Sequence, residues 1–416
     1  MKMRRVVVTG MGALTPIGLN ISEYWDGLVN GVSGAAPITY FDPEKAKTKF
    51  ACELKGFDGS KYFDRKEIRK YDKFSQYGIV AADQAVEDSG ADFNTLNKDR
   101  IGVVWASGIG GIGTFQNEVK DFVNGDGALR FSPFFIPKMI ADICAGHISI
   151  KHDLRGPNFA TVSACASSAH AIADAALYIK VGKSDMMICG GSEASVVESS
   201  VGGFGSMQAL STRNDDPKTA SRPFDKDRDG FVIGEGAGAL VLEDLDHALA
   251  RGAKIYAEVV GSGLTADAYH MTASHPEGRG AMMAMKLALE EAGLELSSVD
   301  HINTHGTSTP VGDVSEPKAI VSLFGDHAKN INLNSTKSMT GHLLGAAGAI
   351  EVIATILAIK NSIVPPTINH FTDDPELPDL NYTFNKAQNR EINVALSNTF
   401  GFGGHNACIA LKKYVE

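Results

Sequence analysis

Thr161-Val162-Ser163-Ala164-Cys165-Ala166-Ser167-Ser168-Ala169-His170-Ala171 and Ser335-Thr336-Lys337-Ser338-Met339-Thr340-Gly341-His342-Leu343-Leu344-Gly345-Ala346-Ala347-Gly348 are the two stretches that decide the fold. Each reads as a strand leading into a helix of Gly, Ala and Ser, and the second echoes the first, which points to a duplication. Around them, short β-branched runs alternate with Ala-rich helical patterns. Val6–Val8, Ile101–Trp105, Met186–Cys189 and Ala239–Leu242 come first, then Ala257–Val260, His301–Thr304 and Val394–Ser397. Continuous apolar strands among helices mean buried sheets between helical layers, an α/β architecture. Gly-Gly and Gly-Ser endings let the backbone turn tightly into the next element. The polar helix end Arg251-Gly252-Ala253-Lys254 precedes a new strand and marks the seam. It divides residues 1–254, which carry Cys165, from residues 255–416, which carry His305, Lys337 and His342.

Composition narrows the class. With 416 residues, 44% hydrophobic and 21% charged, the usage is that of a globular protein and excludes disordered, collagen-like and coiled-coil chains. The length exceeds the roughly 250–300 residues at which one hydrophobic core stops growing. Lys+Arg 39 against Asp+Glu 49 leaves a net charge of −10 with no block of like charge, which disfavours attraction to nucleic acid or to an anionic membrane. The five cysteines, Cys52, Cys144, Cys165, Cys189 and Cys408, are scattered and lack CxxC spacing. That argues against a disulfide framework and a zinc site and fits a reducing cytoplasm. Val6-Val7-Val8 begins like a signal peptide but is interrupted by Gly10, Gly12 and Pro16, so it reads as a first strand. The apolar stretch Ala346–Ile359 carries Glu351 and falls short of the ~20 residues that span a bilayer.

Three residues could carry chemistry together. Cys165, after a strand and at the opening of a small-residue helix, lies where the helix N-terminus favours a thiolate. His305 ends a strand in Asn303-Thr304-His305-Gly306-Thr307-Ser308-Thr309, where Gly306 permits a sharp turn and the hydroxyls can bond a polar ligand. His342 follows Lys337 by five residues in an otherwise uncharged segment, and such a lysine needs a partner, for which Glu351 is a candidate. Competing readings exist. Gly108-Ile109-Gly110-Gly111-Ile112-Gly113 matches a dinucleotide fingerprint, but Phe131-Ser132-Pro133-Phe134 stands where an acidic residue should close the next strand. A metal site from His305, His342 and His405 lacks HExxH or carboxylate-bridged spacing. A cysteine hydrolase using Cys165, His305 and Asn398 or Asn406 leaves Lys337 and the second histidine without a role.

The segments around Cys165, Thr304–Thr309, Ser335–His342 and Asn398-Thr399-Phe400-Gly401-Phe402-Gly403-Gly404 resemble the β-ketoacyl-[acyl-carrier-protein] synthases of the thiolase superfamily, and most closely their elongating members in dissociated fatty-acid synthesis. The resemblance covers essentially the whole chain. It implies a duplicated five-layered αβαβα fold, a homodimer, acyl carrier protein as partner, and a Cys165–His305–His342 site supported by Lys337 and gated by Phe402. It implies no metal and no organic cofactor, the phosphopantetheine arm arriving on the carrier. Substrate contacts carry over to Thr307, Thr309 and Thr272, with Ile109 and Phe204 lining the acyl pocket. Carrier docking carries over to Lys66, Arg69, Lys70 and Arg130. Leu129 and Gln208 stand where relatives often have arginine, and His405 replaces a common threonine. A ketosynthase of a polyketide or aryl-polyene pathway would keep the same triad, whereas a noncatalytic chain-length partner should lack Cys165.

Overall fold

The N-terminal apolar run folds as strand β1 (Val6–Leu14), buried along its whole length, in a computed structural model that describes residues 3–415. Nine strands extend it: β2 (Ile101–Ala106), β3 (Asn158–Thr161), β4 (Met186–Glu193), β5 (Gly236–Asp244), β6 (Ala257–Ala266), β7 (His301–Asn303), β8 (Asn332–Asn334), β9 (Val394–Gly401) and β10 (His405–Lys412). Their order, β8-β7-β9-β10-β6-β1-β5-β4-β2-β3, is two copies of one pattern placed back to back. In each copy the second strand in sequence is parallel to its third and fourth, and the remaining pairings are antiparallel. The copies meet along a short β1–β6 pairing, Val7 with Glu258 and Val8 with Ala257.

Six helices complete the layers: α1 (Lys73–Ser89), α2 (Ile143–His152), α3 (Ser167–Lys180), α4 (Arg279–Ala292), α5 (Gly312–Phe324) and α6 (Ala347–Asn361). Helices α1 and α2 cover the outer face of the first half-sheet, and α4 and α5 cover the second. Helices α3 and α6 lie between the half-sheets and touch both, giving the five-layered αβαβα arrangement. The long apolar stretch is therefore α6, a central core helix whose residues Ala347–Ile359 are all buried.

Both halves bring an outer helix onto the first strand by the same device. A Cβ on Gly10 or Gly12 would lie 2.1 or 2.0 Å from the carbonyl oxygens of Ala85 and Ala81 on α1. On Gly261 or Gly263 it would lie 2.0 or 1.8 Å from those of Ala288 and Ala284 on α4. Only a strand without side chains there, facing alanines, allows so close a contact.

The structure corrects parts of the sequence reading. Strand β10 lies outside the strands read from the sequence, and the strands read at Thr161 and Ser335 are β3 and β8, which end at Thr161 and Asn334, the chain passing through a tight turn before α3 begins at Ser167. Strands β3 and β8 are short and polar. Their pairing with β2 and β7, rather than their own apolar content, makes them strands.

Candidate active site

Cys165 occupies the turn Ala164–Ala166 that joins β3 to α3. Ala164 is held at φ 50°, a conformation costly for a residue with a Cβ. Short hydroxyl side chains hold it: the Ser163 N–H donates to Ser167 Oγ at 2.8 Å, and that hydroxyl donates to the Ala164 carbonyl at 2.6 Å. Cys165 is 8% exposed. Burial pushes the thiol up to about 12, against the charge of Lys337 and the backbone N–H groups of Phe402 and Cys165 that favour the anion. Loss of water thus opposes the thiolate that the helix N-terminus favours in the resting protein.

His342 places Nε2 3.0 Å from Cys165 Sγ. Its backbone is fixed by the His342 N–H donating to the Val232 carbonyl and the Gly234 N–H donating to the His342 carbonyl. The His305 ring stands edge-on to it with centroids 5.4 Å apart. Burial, and after it the charge of Lys337, holds both imidazoles well below their usual range, so both are neutral at pH 7. Lys337 itself is 1% exposed and ion-pairs with the equally buried Glu351 on α6. It therefore acts on the site through its field, since it lies behind the cavity wall and not in it.

Cys165, His305 and His342 open onto one cavity of about 500 Å³. Ile109, Phe204, Thr272, Thr307, Thr309 and Phe402 line the same cavity, as does Gln208. The Phe204 ring meets Phe231 edge-on at 5.4 Å and lies 6.4 Å from the Phe402 ring. Thr307 and Thr309 bring their hydroxyl oxygens to 3.0 Å of each other. Lys66, Arg69 and Lys70 lie apart from the cavity on the exposed helix Arg65–Lys70, which is closed by an Asp64/Glu67 capping box. Arg130 is exposed and ion-paired with Asp126, beside the 81% exposed Leu129.

The rival readings find no geometry. His405 starts β10 and is not among the cavity-lining residues. Asn398 donates to Glu316 at 3.0 Å and Asn406 to Asp267 at 2.8 Å, so neither orients an imidazole. The N–H groups of Gly108 and Ile109, which a dinucleotide would need, donate instead to the buried carboxylate of Glu193.

Four supporting residues escaped the sequence reading. Glu316 on α5 accepts the N–H groups of His305 and Gly306, each at 3.0 Å, and so fixes the turn that carries the histidine. Asp313 accepts the Ser308 N–H at 3.1 Å, and Arg228 donates to the carbonyls of Thr309 at 3.1 Å and Pro310 at 2.9 Å. Between them they hold the threonine loop. Glu193 is the fourth. It is a lone acid closing the apolar run Met186-Met187-Ile188-Cys189-Gly190-Gly191-Ser192, the same signal that singled out Lys337. Glu316, Asp313 and Arg228 sit among other charged residues and carried no such mark.

A cysteine at a strand-to-helix turn, two neutral imidazoles in one pocket and a doubled thiolase-like sheet define a carbon–carbon condensing enzyme. Residues 3–248 match the beta-ketoacyl synthase N-terminal domain and residues 256–371 the beta-ketoacyl synthase C-terminal domain, and the chain belongs to the beta-ketoacyl synthase family. It is 50% identical over 414 residues to a 3-oxoacyl-[acyl-carrier-protein] synthase 2 of a Synechocystis species, covering 100% of this chain and 99% of that protein. It is 51% identical over 411 residues to the Staphylococcus aureus protein of the same name, covering 99% of each. Among solved structures, a type II PKS acyl-carrier protein in complex with its ketosynthase bound to the hexaketide superposes with a TM-score of 0.92 at 32% identity, over 99% of this chain and 100% of that one.

Proposed function

We propose that this enzyme is a 3-oxoacyl-[acyl-carrier-protein] synthase of the elongating, type II kind, an acyltransferase that lengthens a carrier-bound fatty acyl chain by two carbons. The observation that carries the reading is Cys165 Sγ at 3.0 Å from His342 Nε2, with His305 on the same cavity wall. The acyl carrier protein is read as its partner from the names of its relatives and from the carrier-bound ketosynthase structure. Identity of about half to fatty-acid synthases, against 32% to the polyketide ketosynthase, favours fatty-acid over polyketide chemistry.

In the first step the Cys165 sulfur attacks the carrier thioester. The carbonyl oxygen takes up negative charge beside the N–H groups of Cys165 and Phe402, the carrier thiol leaves with the proton, and an acyl-cysteine remains. Burial disfavours a free thiolate beforehand, so charge on sulfur develops only with substrate in place, where the His342 N–H meets it. Malonyl-carrier then occupies the arm site at Thr307, Thr309 and Thr272. Its C–CO₂ bond breaks, the electron pair moves into the thioester as an enolate, and His305 and His342 donate N–H groups to the enolate oxygen. The carbanion carbon attacks the acyl carbonyl, the new C–C bond forms, the C–S bond breaks, and Cys165 takes up one proton. Lys337 keeps both imidazoles neutral and is not a nucleophile. Phe402 gates the pocket, and Phe204 and Ile109 line its acyl end. No metal or organic cofactor of the protein's own takes part; the phosphopantetheine comes with the carrier.

Lys66, Arg69, Lys70 and Arg130 form the carrier-docking patch in this reading, an exposed basic surface for an acidic partner. The working assembly is a cytoplasmic homodimer, supported by an apolar face on which Phe115, Phe131 and Phe135 stack beside the 55% exposed Ile136. Residues 1–254 and 255–416 are its two thiolase-like halves. Cys165→Ala tests the assignment: acyl transfer from acyl-carrier protein is lost in a folded protein, while Cys165→Gln, resembling the acylated state, raises unproductive malonyl decarboxylation. Normal turnover in Cys165→Ala, with an acyl group on another cysteine, refutes it.

A further inference from the structure

The turn Leu344–Ala346 ahead of α6 repeats the Cys165 turn ahead of α3, with φ 48° at Leu344 against 50° at Ala164. Gly345 therefore stands in the second half where Cys165 stands in the first. The N–H of Gly345 donates to Glu193 Oε2 at 3.0 Å. Any Cβ there would lie 2.1 Å from the Gly108 nitrogen and 2.8 Å from Glu193 Oε2, so the second turn is filled by a carboxylate and a loop where the first is open to substrate.

Glu193 is fully buried and gathers five neutral donors. Oε2 takes Gly345 N–H and, at 2.8 Å, Gly108 N–H; Oε1 takes Ser107 Oγ at 3.0 Å and both Ile109 N–H and Ser195 Oγ at 3.3 Å. One carboxylate thus joins the loop bearing Ile109, which faces the catalytic cavity, to the turn bearing Leu344, which lines the same cavity from the other half. Oε2 alone bridges the two segments, Oε1 adds the bonds to Ser107 and Ile109 that fix the loop, and the charged form strengthens each bond.

We propose that Glu193 is a positioning residue that locks the Ile109 wall of the acyl cavity against the second-half turn and thereby sets the longest primer the enzyme accepts. This rests on the condensing reading above. Glu193→Gln keeps the shape but turns its amide N–H₂ either toward the Gly345 and Gly108 N–H groups or toward the Ile109 N–H, so the Ile109 loop loses an acceptor in either orientation. The charge of Glu193 also opposes ionisation of Cys165, so its removal makes the thiol more reactive at a given pH, an effect that a packing role alone does not produce.

The test measures kcat/KM with acyl-carrier proteins of graded length, together with the pH profile of Cys165 alkylation by iodoacetamide. In Glu193→Gln the ratio of long-primer to short-primer kcat/KM rises about tenfold, the worth of one charge-assisted hydrogen bond, and the alkylation profile moves to lower pH. Ser107→Ala, which removes one donor and leaves the carboxylate, shifts the length ratio the same way by a smaller factor and decides the matter if the glutamine variant does not fold. An unchanged length ratio in a variant that still condenses, a uniform loss at every length, or an unmoved alkylation profile overturns the proposal. Failure of the wild-type enzyme to form acyl-Cys165 would instead overturn the condensing reading.

Discussion

His305→Ala and His342→Ala separate at the first chemical step. His342 Nε2 lies 3.0 Å from Cys165 Sγ, whereas His305 makes no hydrogen bond to the sulfur and stands edge-on to His342 with ring centroids 5.4 Å apart. A hydrogen bond to a charged group is worth about 1.5–3 kcal/mol, so loss of His342 slows acylation by roughly 10- to 150-fold at a factor of ten per 1.36 kcal/mol. Loss of His305 leaves acylation within a few-fold of wild type. At decarboxylation both imidazoles face the enolate oxygen, and removal of either donor costs on the order of 10²–10³-fold. Rapid-quench single turnovers with acyl-carrier protein, read by peptide mass spectrometry of the Cys165 adduct, measure the first step. Release of labelled carbon dioxide from malonyl-carrier protein on pre-acylated enzyme measures the second. Equal slowing of acylation in the two variants, or normal carbon dioxide release in His305→Ala, would refute this division.

Ile109→Phe blocks medium and long primers and spares short ones, because the added ring fills the cavity end without touching Cys165 or the histidines; steady-state rates over a primer series check this, and a uniform loss at all lengths contradicts it. Charge reversal at the exposed Lys66, Arg69 and Lys70 raises KM for acyl-carrier protein with little effect on a short acyl-pantetheine, and salt weakens the wild-type reaction with the carrier. His301, buried on β7 with Nε2 2.8 Å from Asn334 Oδ1, is lowered to about 4 by burial. Its folded value lies below the unfolded 6.5, so the folded state binds fewer protons between the two. Its contribution is intact above pH 6.5 and is lost as pH falls toward 4, by about 3 kcal/mol in all. Denaturant unfolding across that range reads this slope, and His301→Gln, which keeps a donor for Asn334 and does not titrate, flattens it.

Chemistry was more legible than packing. Cys165, Lys337 and His342 stood out because ionisable or nucleophilic groups are conspicuous in segments that are otherwise small and uncharged, and His305 because a glycine and four hydroxyls surround it. The duplication could be read at the two turns, and Gly10-x-Gly12 with Gly261-x-Gly263 offered a second copy of the signal that becomes meaningful only when the facing alanines of α1 and α4 are known. The extents of strands β3 and β8 are not legible, because they carry little apolar pattern of their own and their neighbours impose the extended form. The opposing fields at Cys165 are only half legible for a related reason. A helix N-terminus is visible in sequence, but the burial that opposes it comes from segments far away in the chain. Arg228 and Glu316 act on backbone atoms 81 and 11 residues away, a relation no local pattern encodes, and Asp313, although only five residues from Ser308, carries no mark among the charged residues around it.

The central claim, condensation through an acyl-Cys165 intermediate, is tested most directly by mass spectrometry of the wild-type enzyme incubated first with an acyl-carrier protein and then with malonyl-carrier protein. The account predicts one acyl group on the Cys165 peptide after the first addition. After the second, that adduct disappears as carbon dioxide is released and a β-ketoacyl-carrier protein two carbons longer is formed. Release of the acyl group as free acid, or an adduct on any residue other than Cys165, would contradict it.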